Sequence, residues 1–199
     1  MLSLESAARE LMDSIQRAGL PASFRPVRNE ELASTVNQIP LSTDLLKWYE
    51  IGAPMDVEIP WSAETLKLCS PLSLVESQEG YRWNVGDRGR IADGWSDSWV
   101  VIGDCISDPI IAHTDKIETP ISMAVHGKGY WDPLSVAPSL AVFLSVLKTW
   151  VDVCLVNYSG TFLDDDDCEM LPEVRRDLEQ GFSRLLDDER RKNLWLFIG

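Results

Sequence analysis

Between Trp99 and His113 the chain reads WVVIGDCISDPIIAH, two apolar, β-branched runs joined through an acidic turn. In WVVIG (Trp99–Gly103) both alternating positions are apolar, the pattern of a central strand covered on both faces. PIIAHT follows after only a few residues, so the two runs are expected to pair antiparallel as a hairpin. A doubly covered strand needs a layer on each side, and the rest of the chain has to supply both.

The segments around the hairpin predict more sheet. TPISMAVHG alternates Ile121, Met123 and Val125 with Ser122, Ala124 and His126, as in a half-exposed strand. VEIPW (Val57–Trp61) is expected as a short strand that Pro60 confines to an edge or an end. ETLKLCSPLSLVESQEG is ambiguous and compatible with a helix on either side of Pro71; YRWNV is a candidate strand. GDRGRIADGWSDS and GKGYWDP have the glycines and acids of loops and turns.

Helical spacing dominates both ends. Leu4, Ala8, Leu11, Met12 and Ile15 form a stripe, with Ser3 as cap and Gly19-Leu20-Pro21 as stop. A second helix is expected over Glu30 to Gln38, with Leu32, Val36 and Ile39 on one face. LSTDLLKWYEIG predicts a third, pointing Leu41, Leu45, Trp48 and Tyr49 inward and ending in a left-handed cap at Gly52. The clearest helix lies in PSLAVFLSVLKTWVDVCL, where Leu140, Phe143, Leu144, Leu147, Val151 and Cys154 make an apolar stripe. Ser145, Lys148, Thr149 and Asp152 are expected to face water. The run LDDDDCE precedes a last helix with Val174, Leu178, Phe182 and Leu185 inward, and NLWLFIG is expected as a strand or a packed tail. The fold class expected is α+β: one mostly antiparallel sheet flanked by N-terminal helices and a long buried C-terminal helix, plus a helical tail. Residues 1–159 are read as the domain, and residues 160–199 as an acidic linker and helical appendage packed on it.

Charge narrows the function. The 32 Asp and Glu against 18 Lys and Arg leave a net charge of −14, which repels nucleic acids and anionic membrane surfaces and favours a basic protein partner. The four cysteines, Cys69, Cys105, Cys154 and Cys168, form no C-x-x-C pair and read as reduced thiols of a cytoplasmic protein. The N-terminus lacks an apolar signal segment, and no run is read as approaching the roughly 18 apolar residues of a membrane span.

Catalytic signatures are weak. His113 and His126, with Asp115 or Asp104, are the one conceivable metal or acid–base set, but strand positions explain both better. The glycines make no phosphate loop, and Ser98 and Ser107 lack a nucleophile-elbow context. Asp164–Asp167 runs into Met-Leu-Pro where a calcium loop would have to continue, so it is read as a solvated linker. No catalytic residue, metal or cofactor is expected. Trp61, Trp83, Trp95 and Trp131 lie in acidic, loop-rich surroundings, where exposed rings would act as interface hot spots or, alternatively, close the ends of the sheet.

Four landmarks occur in order: IPLSTDLLKWYEIGAP, GWSDSWVVIGDCISDPIIAHT, VHGKGYW and VAPSLAVFLSVL. Together they resemble the SUKH superfamily, the Smi–Knr type proteins of bacterial toxin immunity and fungal cell-wall signalling. Pro40, Leu45, Tyr49 and Gly52 approximate the family's helix end; Trp99, Ile102, Gly103, Asp108 and Pro109 its Trp-led strand and turn; Ala137, Ser139, Leu140, Phe143 and Leu144 its last helix. Two features depart from the pattern: Gly52 follows Ile51 where the family usually has Asn, and the tail from Asp164 has no counterpart in the shared core. The resemblance covers roughly Asn29 to Val156.

It implies a single sheet flanked by helices and a protein that binds and neutralises a cognate intracellular toxin. Charge adds that the toxin is basic; no cofactor and a monomer or weak dimer are expected. The expected contact residues are Asp87, Asp93, Trp95 and Asp97 in the long loop, Asp104 and Asp108 at the hairpin turn, and Tyr130, Trp131 and Asp132 in the late turn. The alternatives are a non-catalytic regulatory scaffold of the same superfamily and a small hydrolase using His113 and His126.

Overall fold

The computed structural model describes residues 2–88, 90–164 and 168–199. Helix α1 (Leu4–Arg17) starts where the Ser3 hydroxyl accepts the Ser6 N–H at 3.1 Å. Strand β1 (Phe24–Arg25) pairs with β2 (Ala53–Pro54), bracketing a short α2 (Ala33–Val36) and α3 (Thr43–Gly52). Ser42 caps α3 through the Leu45 N–H. A six-stranded antiparallel meander follows: β3 (Val57–Trp61), β4 (Glu64–Leu68), β5 (Trp99–Cys105), β6 (Asp108–His113), β7 (Ile121–Met123) and β8 (Leu134–Ala137), adjacent in that order. The chain closes with α4 (Leu140–Trp150), continued by π-helical turns to Asn157, then α5 (Pro172–Phe182) and α6 (Asp188–Trp195). This is the α+β architecture expected.

The two sides of β5 go to different cores. Val100 and Ile102 join one continuous core with Leu11 of α1, Trp48 of α3 and Phe143 and Leu147 of α4. Val101 faces the other way, into a small second cluster with Ile111, Ala124 and Trp95. That is the double cover the sequence predicts. A bulge between Val101 and Gly103 interrupts the β5–β6 pairing, and on the β4 side a β-carbon on Gly103 would stand 2.3 Å from the Lys67 carbonyl oxygen. Only glycine admits that approach.

Several expectations are corrected. Gly52 is not a left-handed cap but the last residue of α3; a β-carbon there would meet Met12 Sδ at 2.5 Å, so the Met12 side chain of α1 would have to shift to admit one. The helix expected over 30–38 shrinks to α2, with Leu32 and Ile39 buried and Val36 43% exposed. ETLKL is the strand β4, burying Leu66 and Leu68 at period two. YRWNV contributes only isolated bridges from Trp83 to Glu79 and Ile91. Ser122 and Ala124 are buried because the outer face is also covered. Ser145 is buried too, donating its hydroxyl to the Ala141 carbonyl at 3.0 Å. The 18-residue helix Leu140–Asn157 is long and apolar enough to cross a membrane, against expectation, but is mostly buried in the core.

The tail is structural. Val174, Leu178 and Phe182 enter the main core, and Leu185 packs half-buried against it. NLWLFIG completes α6 and a packed end whose Phe197 carbonyl accepts the Trp61 indole N–H at 2.8 Å. From α6, Asn193 donates to the Ser135 carbonyl of β8 at 3.0 Å and Arg190 to the Ser135 hydroxyl. The helix thereby covers an edge that would otherwise invite strand pairing. Asp165–Asp167 of the acidic run lie outside the described residues.

Candidate partner-binding face

The outer face of the sheet is covered by chain that is loop apart from a single 3-10 turn at Glu76–Gln78. Pairing of β4 with β5 ends at Leu68↔Gly103, with one further bond from the Cys69 N–H to the Ile102 carbonyl. Beyond it Gln78 replaces the missing strand. Its side-chain oxygen accepts the Val101 N–H at 2.9 Å, and its amide nitrogen donates to the Val101 and Leu74 carbonyls, each at 2.9 Å. The Gln78 side chain is fully buried. Arg82 extends this seam, donating to the Asp97 carbonyl at 2.8 Å and the Trp99 carbonyl at 3.3 Å. Burial pulls its guanidinium below the ordinary arginine value, and the nearby Asp97 carboxylate opposes that shift. The long loop is therefore bolted to the sheet.

On that foundation sits an aromatic cluster. Trp95 donates its indole N–H to the Trp99 carbonyl and meets Trp99 and Trp131 edge-on, with centroids at 5.5 and 5.3 Å. Tyr81 lies 5.8 Å from Trp131 at an interplanar angle of 54°. The Tyr81 hydroxyl donates to the Ser107 carbonyl, at a hairpin tip where Ile106 and Ser107 both have positive φ, 47° and 70°. Burial, then the negative charge of Asp104, Cys69 and Asp108, pushes the Tyr81 phenol up to about 12. Above the cluster opens a groove of about 440 Å³, lined by Tyr81, Arg90, Asp93, Tyr130 and Trp131 and by glycines that leave room. Tyr130 in the lining is 62% exposed, and Val85 and Ile106, the chain neighbours of Asn84 in the lining and of Ser107, are 81% and 50% exposed.

Of the nine residues expected at the interface, Asp93, Tyr130 and Trp131 meet in the groove. Asp87, Asp97 and Asp132 are exposed on the flanking loops. Asp104 and Asp108 have local work as well. Asp104 accepts the Ser107 N–H at 3.3 Å, and Asp108 accepts the His126 N–H at 2.8 Å and pairs with its ring, tying down the turn before Tyr130. Trp95 is not presented to a partner; at 5% exposure it is the floor. Trp61 and Trp83 are also buried rather than exposed, Trp61 stacking on Trp150 at 4.4 Å. Sequence reasoning missed Tyr81, Arg90 and Gln78. The only signal for Tyr81 was a polar-aromatic segment mistaken for a strand.

The histidines do not form a site. His113 and His126 lie at and beyond opposite ends of β6, roughly 17 Å of strand apart. Among the described residues no three His, Cys, Asp or Glu side chains cluster as a metal site would require. His113 shares a 2.9 Å hydrogen bond with Ser122 and packs against Trp99. Ser122 is 5% exposed and His113 half-buried. Cys69, Cys105 and Cys154 are buried, and burial pushes Cys105 up to about 11 and Cys154 to about 12; Cys168 is exposed.

Burial lowers the His113 value below 6.5. The unfolded chain then takes up this proton first, so stability is fully present above pH 6.5 and falls as the pH drops toward the lowered folded value. Urea unfolding at about pH 7.5 and about pH 5.5 checks this: His113→Gln is expected to lose less stability between the two than the parent. Equal losses would contradict it.

No family model, curated protein or solved structure matches the chain.

Proposed function

We propose that the chain is an immunity protein of the Smi–Knr type, acting in the cytoplasm, which binds a basic toxin domain through the outer face of its sheet and occludes it. The observation that carries the reading is the open aromatic groove, rimmed by exposed apolar side chains and carboxylates and held by Gln78 and Arg82. Aromatic anchors within a polar rim are the usual anatomy of a protein interface. A preformed face loses little conformational entropy on binding. The net charge of −14 speeds encounter with a cationic partner and rejects anionic ones. Such a binder inhibits by covering a surface, with no chemistry of its own.

Co-expression with the product of the neighbouring reading frame tests the reading, because an immunity gene usually sits beside its toxin gene. The expected result is restored growth together with co-purification of the two chains. Continued toxicity with no complex would overturn it.

A further inference from the structure

We propose that the groove receives one arginine side chain of the partner, its guanidinium lying over the groove-facing surface of the Tyr81 and Trp131 rings and pairing with Asp93. The inference rests on the reading of the chain as a binder of basic protein and names the contact that would anchor it. Three observations support it. First, the two rings are fixed in place: Tyr81 by its hydrogen bond to the Ser107 carbonyl, Trp131 by the edge of buried Trp95. At 5.8 Å and 54° they are in tilted contact and present one continuous aromatic surface. A weakly hydrated planar cation suits such a surface, because aromatic faces attract positive charge and the guanidinium also presents a donor fork to a carboxylate.

Second, the volume of about 440 Å³ falls within the roughly 300–1,000 Å³ range of ligand clefts and is lined by Gly127 and Gly129, which remove side chains from its mouth. Third, the local charge has the right sign. Asp93 lines the groove, and Asp104 and Asp108 lie close enough to act on the Tyr81 hydroxyl, against Arg90 as the cation in the lining. Tyr130, 62% exposed, stands at the mouth as a third ring.

Arg90 makes the idea sharply testable, since it repels a cation and would attract an anion. The probe is N-acetyl-arginine amide, titrated into the intact protein while the Trp131 and Trp95 indole N–H signals are followed by NMR. The citrulline amide, uncharged and of the same shape, and sodium acetate are the controls. Arginine amide is expected to shift those two signals saturably, and citrulline amide to bind roughly tenfold more weakly. Tyr130→Ala, an exposed position that leaves the fold intact, and Asp93→Asn are each expected to weaken binding roughly threefold to tenfold. Arg90→Gln is expected to strengthen it about threefold.

Equal shifts with citrulline amide, shifts scattered over the surface, or loss of binding in Arg90→Gln with acetate as the better ligand would overturn the proposal. The probe needs no toxin, so the two readings fail separately. A groove deaf to arginine in a protein that still neutralises its toxin removes only the anchor. A groove that binds arginine in a protein with no toxin partner removes only the immunity function.

Discussion

Gln78→Leu is expected to cost about 3–5 kcal/mol of folding stability, a large share of the roughly 5–15 kcal/mol that holds a domain together. Leucine fills nearly the same space but leaves the Val101 N–H and the Val101 and Leu74 carbonyls without the partners that Gln78 provides. All of these groups are buried, and each orphaned one costs about 1–3 kcal/mol. Gln78→Glu separates shape from hydrogen bonding. It is isosteric, yet it sets a carboxylate against two carbonyl oxygens, so it is expected to be at least as damaging at neutral pH. Urea unfolding of the three proteins measures the effect. A change below about 1 kcal/mol for Gln78→Leu would mean that the loop is not held through this amide. Where the variant still folds, the wall of the groove at Gly80 and Tyr81 loses its anchor, and arginine-amide binding should fall with it.

What the sequence disclosed and what it hid follow from how local each signal is. The hairpin, the Ser3 cap and the stripe of α4 are written in periodicity and short-range hydrogen bonds, and all appear where expected. Gly52 looks like a cap glycine and Gly103 like an ordinary strand end in sequence, yet Gly52 packs against Met12 and Gly103 admits the Lys67 carbonyl, both far along the chain. No local pattern carries that information. Strand β8, LSVA, is too short for a period of its own and is defined by its partner β7 on one side and by α6 on the other. Ser145 reads as solvent-facing at helical spacing but is covered because the tail returns over α4.

At the groove, composition located the acidic loops and the late turn, hence Asp93, Tyr130 and Trp131. It could not say which tryptophan is floor and which is wall. Trp95 and Trp131 have the same chemistry and similar neighbours, and only the indole hydrogen bond of Trp95 to the Trp99 carbonyl distinguishes them. Tyr81 was illegible because its role depends on a contact with Ser107, 26 residues away.

Charge reversal of Asp93 and Asp97 together is expected to weaken toxin binding by at least about tenfold while the melting temperature stays within about 2 °C of the parent. Asp93 lines the groove, and Asp97 stands exposed beside it. Lysine at both places turns attraction into repulsion at the rim and keeps the Asp97 backbone carbonyl that Arg82 uses, so the supports lose only the attraction between the Asp97 carboxylate and the Arg82 guanidinium. Exposed substitutions of this kind usually change stability by less than about 0.5 kcal/mol. The decisive measurement is the dissociation constant of the purified complex at about 50 mM and about 500 mM salt, for the parent and for Asp93→Lys/Asp97→Lys. An anionic docking face requires tight binding that weakens with salt in the parent, and weaker binding with a shallower salt dependence in the variant. Equal affinity in both proteins at both salt concentrations would contradict it.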